Sequence, residues 1–340
     1  MIKKIELSNF RLFDNICLDT NNSLVIFSGK NATGKTSILE AINIASTTKS
    51  HRERNLINVI KDNKDYLSIK IKANKEYKVI IDNENKNYFI NNKKENIIDY
   101  VGNLDVILFS PDDLNLINGS KIDRRRFLDL ELSLINKDYL RNLIKYKKIL
   151  NERNELLKNK NIDLIYLDVL TNSLIDSLKL LYYSRIALID DINNYLIDIS
   201  KLLNVGEIKL EYVKTYDPND ILNSFNLKKE KDILTHFTNI GIHRDDFKIY
   251  LDKKDVFTYA SSGQKRIIVI AIKLALIEYY KRIKNKDIIL LLDDVFAELD
   301  KERITNLVKY IKRLKQVFIT TTTILEVPDE ILKEALVLRI

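Results

Sequence analysis

The chain has 340 residues, 45% of them hydrophobic and 31% charged, with a formal net charge of +8. That leaves room for a sizeable core plus a smaller second domain, and the charge suits a nucleic-acid partner. The single cysteine, Cys17, excludes a disulfide framework and a cysteine-rich zinc site, and three scattered histidines (His51, His236, His243) argue against a histidine-based metal centre. No apolar run approaches the roughly 20 residues of a membrane span. The opening MIKKIELSNF alternates like a strand instead of reading as a signal peptide, so the expectation is a cytoplasmic protein with no membrane partner.

In chain order, Leu24 to Ser28 reads as a strand buried on both faces, and Ser37 to Ala45 as a helix. Between them, Gly29-Lys30-Asn31-Ala32-Thr33-Gly34-Lys35-Thr36 fits the phosphate-loop pattern, glycine, four residues, then Gly-Lys-Thr. Small, permissive residues let successive N–H groups turn inward around phosphates, and the N-terminus of the helix that follows adds partial positive charge, so the nucleotide-binding set runs from Gly29 through Lys35, Thr36 and Ser37. Lys35 is expected to reach the β- and γ-phosphates, and the Thr36 hydroxyl to join a Mg²⁺ shell. The basic cluster Lys49 to Arg54 follows, with Arg52 and Arg54 as candidate DNA contacts or as an ordinary solvated face.

Tyr66 to Ala73, Glu76 to Asp82 and Asn87 to Asn91 alternate apolar with polar, an antiparallel meander beside a parallel core. Val106 to Ser110 returns to that core and stops at Pro111. From Arg124 to about Leu203 the apolar spacing is helical, opening with a second candidate DNA cluster, Arg124-Arg125-Arg126. Ile208 to Tyr212 and Phe247 to Leu251 read as strands, with His243-Arg244-Asp245-Asp246 before the latter and the chain rejoining its first part near Thr235.

Ser261-Ser262-Gly263-Gln264 precedes a helix from Lys265 to about Lys281, and a serine there is on its own an ordinary N-cap. The apolar strand Ile288 to Leu292 then delivers Asp293 and Asp294 at its C-terminal end, where ligands of open α/β sheets bind. Asp293 would hold Mg²⁺ through water, and Asp294 would polarise the attacking water, acting with Lys35 in catalysis. Only 7 glycines occur in the chain, and Gly29, Gly34 and Gly263 fall inside this one proposed site. The expected organisation is therefore a nucleotide-binding head in two halves, 1–120 and 235–340, split by a mainly helical arm, 121–234.

The order GKNATGKTSILEAI, ASSGQ, LLLDDVFAELD resembles the ABC-type ATPases of DNA repair, relatives of the SMC heads. Asn9-Phe10-Arg11, Ser50-His51-Arg52, Phe109 to Leu114, Asp123 to Asp129, Gly241 to Asp246 and Gln316 to Thr322 extend the resemblance over nearly the whole chain. It implies an α/β ABC-type ATPase head, a mixed sheet with helices and a β meander, carrying an inserted helical arm, with ATP and Mg²⁺ as cofactors. It further implies that Ser261, Ser262, Gly263 and Gln264 close in trans on the partner's ATP in a homodimer that binds duplex, gapped or junction DNA. Mediator partners of the RecO and RecR type, which help load the RecA recombinase, are implied too, with slow, DNA-stimulated hydrolysis.

Two departures from the general ABC pattern point to slow turnover: Asp294 stands where glutamate is usual, and Thr320 to Thr322 occupy the region of the transporters' switch histidine. No glutamine stands out as a Q-loop residue. By resemblance, Arg11 lies near the nucleotide phosphates, and His243 to Asp246 lies near the ATPase site unless it is a surface turn. Other readings are an ABC-type ATPase of another DNA-linked system, such as defence, a transporter's nucleotide subunit, disfavoured by the long helical insertion, and a DNA-binding module in which ATP is structural.

Overall fold

The computed structural model describes residues 1–296 and 299–340, with the side chain of Glu326 excepted, so Ala297 and Glu298 of the LLLDDVFAELD motif lie outside the described residues. The chain clusters into two compact units: Met1–Leu114 with Asp198–Val205 and Ser261–Ile340, and Asn115–Ile197 with Gly206–Ala260.

The first unit sorts its parallel and antiparallel strands into two sheets. Strands β3 (Leu24–Ser28), β8 (Val106–Phe109), β12 (Ile289–Asp293), β13 (Gln316–Thr321) and β14 (Leu336–Arg339) form an all-parallel sheet in the order β14-β3-β13-β12-β8. Every residue of β3, β8, β12 and β13 is buried, as continuous apolar runs covered on both faces must be. Strands β1 (Lys4–Phe10), β2 (Phe13–Asp19), β4 (Tyr66–Lys72), β5 (Glu76–Asp82), β6 (Lys86–Ile90) and β7 (Lys93–Glu95) make the antiparallel sheet, ordered β2-β1-β4-β5-β6-β7. Their period-2 pattern turns Leu67, Ile69 and Ile71 of β4 and Tyr77, Val79 and Ile81 of β5 inward.

Helix α1 (Lys35–Thr47) fills the space between the sheets, touching β4 and β5 of one and β8, β12 and β13 of the other, and all its residues except Thr36 are buried. Its Ile38, Leu39 and Ile42 join Val25, Phe27, Phe318, Ile69 and Val79 in one apolar core. Gln316 ties the sheets together: its Oε1 accepts from Ile2 N at 2.6 Å, and its Nε2 donates to the carbonyls of Ile2, Thr20 and Asn22 at 2.8, 3.0 and 3.1 Å.

The second unit holds α2 (Lys121–Ile135), α3 (Lys137–Leu157) and the N-terminal part of α4 (Leu164–Leu202), with an antiparallel sheet of β9 (Ile208–Val213), β10 (Asp246–Leu251) and β11 (Lys254–Asp255). Asn136 separates α2 from α3 because its side chain accepts from Asp138 N and Tyr139 N, capping the new helix. The unit runs past residue 234 to Ala260, since β10 pairs with β9 through Phe247 and Tyr212. Its interior is held by polar networks as well as leucines: Arg185 donates to Asp129 at 2.7 Å and to the Ile242 carbonyl at 2.8 Å, and Arg153 to Asp232 at 2.9 Å.

Arg124 grips the Asp246 carboxylate with two hydrogen bonds, 2.7 and 3.1 Å, and Arg125 donates to the Asp245 carbonyl at 2.8 Å, so these two expected DNA contacts also serve the unit's own structure. Asp245 is itself fully buried and accepts from Tyr212, Thr215 and Tyr216, which makes His243 to Asp246 a structural node and not a surface turn. Arg126 is the exposed member of the trio, 3.4 Å from Asp123. Among the described residues no helix is long and apolar enough to cross a membrane.

Candidate nucleotide site

Strand β3 ends at the loop, and α1 begins at Lys35 without a side-chain cap: its N-cap is Gly34, at φ 104°. Glycine is required there on two counts. The backbone lies in the left-handed region, and a Cβ would fall 2.4 Å from the Phe13 ring of the β1–β2 hairpin. Thr33 Oγ1 donates to the Lys30 carbonyl at 3.0 Å, and Lys35 Nζ donates to the carbonyls of Gly29 and Lys30, both at 2.7 Å, which sets the ammonium across the mouth of the loop. The N–H groups at the start of α1, which no side chain caps, and this ammonium belong to the same loop, the equipment an anion site needs.

The two halves of the site meet at Asp293. Its Oδ1 accepts from the Thr36 hydroxyl at 2.9 Å and from Thr320 Oγ1 at 2.7 Å, and Thr320 Oγ1 in turn accepts from Asp294 N at 3.0 Å. Asp294 is held in the left-handed region, φ 50°, at the end of β12, and lines the cavity that Asn31, Gly34, Lys35 and Thr36 also line. That cavity has a volume of about 680 Å³, enough for a nucleotide. The donor set fits Mg²⁺: a threonine hydroxyl and one carboxylate side by side, hard oxygens that leave most of the coordination shell to phosphates and water. Among the described residues no group of three or more His, Cys, Asp or Glu side chains gathers that could hold a metal ion.

Three residues of the site carried no sequence assignment or a different one. Glu40, wholly buried in α1, accepts two hydrogen bonds from Arg11, at 2.9 and 2.8 Å, and one from Ser50, with Arg52 at 3.9 Å. The hydrogen bonds that Arg11 donates to Glu40 raise its pKa and fix its guanidinium, and Arg11 lines the nucleotide cavity. A glutamate inside the apolar run SILEAINIA was the available signal. Arg52, expected at DNA, lines the same cavity and, like Arg54, is exposed. Thr320 was noted only for its position, and its two hydrogen bonds across β12 and β13 are tertiary.

The signature segment stands at the N-terminus of α5 (Ser262–Lys284). Ser261 and Gln264 form a reciprocal capping box, Ser261 through Gly263 are exposed, and a Cβ on Gly263 would meet nothing within 4 Å. None of these residues lines the cavity. Further along α5, buried Lys273 forms an ion pair with Asp113 at 2.9 Å, just after β8.

A phosphate loop on a doubly covered parallel strand, a paired acidic strand and an exposed serine-led helix, split by an inserted unit, define an ABC-type ATPase head. The family model for the RecF/RecN/SMC N terminal domain matches residues 1–333. A DNA replication and repair protein RecF of Acholeplasma laidlawii is 41% identical over 94% of this chain and 93% of its own length, and that of Bacillus subtilis is 34% identical over 100% and 98%. A solved structure of the recombination mediator RecF with ATP superposes with a TM-score of 0.87, at 27% identity, over 95% of this chain and 92% of that one. The chain belongs to the RecF family.

Proposed function

We propose that this protein is an ATP-gated DNA clamp of recombinational repair. In this reading the first unit is the ATPase head, the second is its arm, and ATP with Mg²⁺ occupies the cavity at Lys35, Thr36, Asp293 and Asp294. The observation that carries it is the exposure of Ser261 to Gly263: the helix start turns its positive end and the Ser262 and Gly263 N–H groups, which lie outside the capping box, to the surface, yet these residues line no part of their own chain's cavity. A second copy would bring its loop-bound ATP to them, so ATP becomes the joint of a homodimer and hydrolysis opens it. Turnover is slow and DNA-stimulated, since the short Asp294 carboxylate stands where ABC ATPases carry a longer one.

DNA contact falls to Arg52, Arg54 and Arg126, all exposed, on a chain of net charge +8, with gapped or junction DNA as the target. Partners of the RecO and RecR type, and loading of the RecA recombinase, are supported by relatives described as recombination mediators in the RecFOR pathway.

The test is sedimentation velocity with and without ATP and Mg²⁺, paired with binding to duplex and gapped DNA at several salt concentrations. Ser261→Arg should abolish ATP-driven dimerisation with nucleotide affinity retained, and should flatten the salt dependence of DNA binding by about one slope unit per lost phosphate contact. A variant that still dimerises with ATP and binds DNA as before refutes the clamp.

A further inference from the structure

His51 lies in the first unit with both ring nitrogens buried and, among the described residues, with no hydrogen-bond partner. Burial lowers its pKa, and the charges of Glu40, Asp293, Asp113 and Asp112 act in the opposite direction, so four carboxylates lie within electrostatic reach of one neutral ring. Three of them already have fixed duties: Glu40 accepts from Arg11 and Ser50, and the other two are Asp293 and Asp113. Asp293 takes the Thr36 and Thr320 hydroxyls, and Asp113 accepts from Ser110 N at 2.8 Å while pairing with Lys273 of α5.

A ring of this volume with two idle polar atoms is costly in a protein interior, and phenylalanine would fill the space without that cost. A neutral imidazole offers one N–H and one lone pair, so it can donate to an oxygen on one side and accept from a water on the other. We propose that His51 is a positioning residue of the nucleotide site: it takes up its hydrogen bonds when magnesium nucleotide binds, holding a water of the shell that Asp293 orders. The proposal rests on the ATP reading given above and deepens it. It also gives the 50–52 turn one purpose, since its neighbours Ser50 and Arg52 both bear on Glu40 beside the same cavity.

The chain has only three histidines, so protein labelled with ¹⁵N-histidine gives few ring signals, and those of His51 are identified by their loss in His51→Phe. With Mg²⁺ and a non-hydrolysable ATP analogue, the His51 ring nitrogens should shift toward hydrogen-bonded positions, and with Mg²⁺ alone they should not. In single-turnover hydrolysis, His51→Phe should bind ATP with near wild-type affinity and react on the order of 10–100-fold more slowly, with His51→Gln recovering part of the loss. Unmoved His51 signals with nucleotide demonstrably bound overturn the proposal, as does a His51→Phe protein with the wild-type rate. Slower turnover accompanied by an equal fall in thermal stability and no rescue by glutamine overturns it in favour of a packing role. A wild-type protein that binds no nucleotide overturns the ATP reading itself and this proposal with it.

Discussion

Replacing Thr320 by valine keeps the shape of the side chain and removes one hydroxyl. In the structure that hydroxyl donates to Asp293 Oδ1 at 2.7 Å and accepts from Asp294 N at 3.0 Å. Thr320 is 1% exposed and Asp293 5%, so water does not readily replace the bond between them. Thr36 still donates to Asp293, which limits the damage on that side. The Asp294 N–H, on a backbone already at φ 50°, loses the Thr320 hydroxyl as acceptor. Loss of a bond to a charged acceptor should cost roughly 1.5–3 kcal/mol of stability.

The same change frees the orientation of Asp294, so single-turnover ATP hydrolysis should fall by roughly 10–100-fold, the range seen when residues that orient metal ligands are lost. Urea unfolding and rapid-quench hydrolysis measure the two effects, and Thr320→Ser, which restores the hydroxyl, should recover most of both. A valine variant that unfolds and hydrolyses like wild type would show that the Asp293–Asp294 turn is positioned by something other than this threonine.

Lys35→Ala should abolish binding of a fluorescent ATP analogue with the fold intact by circular dichroism, because it removes the only ammonium set across the loop mouth by Gly29 and Lys30; retained affinity would dissolve the site. Asp294→Asn should bind ATP and lose roughly 10²-fold or more in turnover, accumulating closed dimers, and an unchanged single-turnover rate would make Asp294 structural. His243 gives a pH signature. Burial, helped by Arg244 and Arg125, lowers its pKa from 6.5 to about 4, with Tyr146 on one ring nitrogen and the Thr238 carbonyl on the other. Its contribution is thus fully present above pH 6.5 and lost as pH falls toward 4, where the unfolded chain takes up a proton that the folded one resists. The loss should reach at most roughly 3 kcal/mol. Unfolding of wild type and His243→Gln at pH 7 and pH 4.5 should show the wild type losing more, and equal losses would contradict it.

What could be read in the sequence was whatever is local. The phosphate loop, its strand and helix, the period-2 meander and the helical spacing from Arg124 onward all depend on residues a few positions apart, and each lies within a few residues of its expected place. What could not be read depends on partners far along the chain. Arg124 and Arg125 looked like a basic cluster because Asp246 and the Asp245 carbonyl, their acceptors, are some 120 positions away. The role of Arg52 hinges on Glu40, whose charge is visible in the sequence but whose burial is not. Thr320 reaches Asp293 across 27 positions, and no spacing rule links the two.

In the parallel sheet, β3 has only β13 and β14 as neighbours, and β8 has only β12. The strands made first by the ribosome therefore have no sheet partner among themselves, and α1 has only part of its cover. At about 5–20 residues per second, β13 emerges tens of seconds after β3. During that interval a largely apolar strand and a helix that the folded protein buries on nearly every side wait with open edges, a load for holding chaperones and an opening for misassembly. The second unit is the natural place to cut such a chain. Its two halves should be insoluble when made alone and soluble when made together, because each carries the strands the other needs.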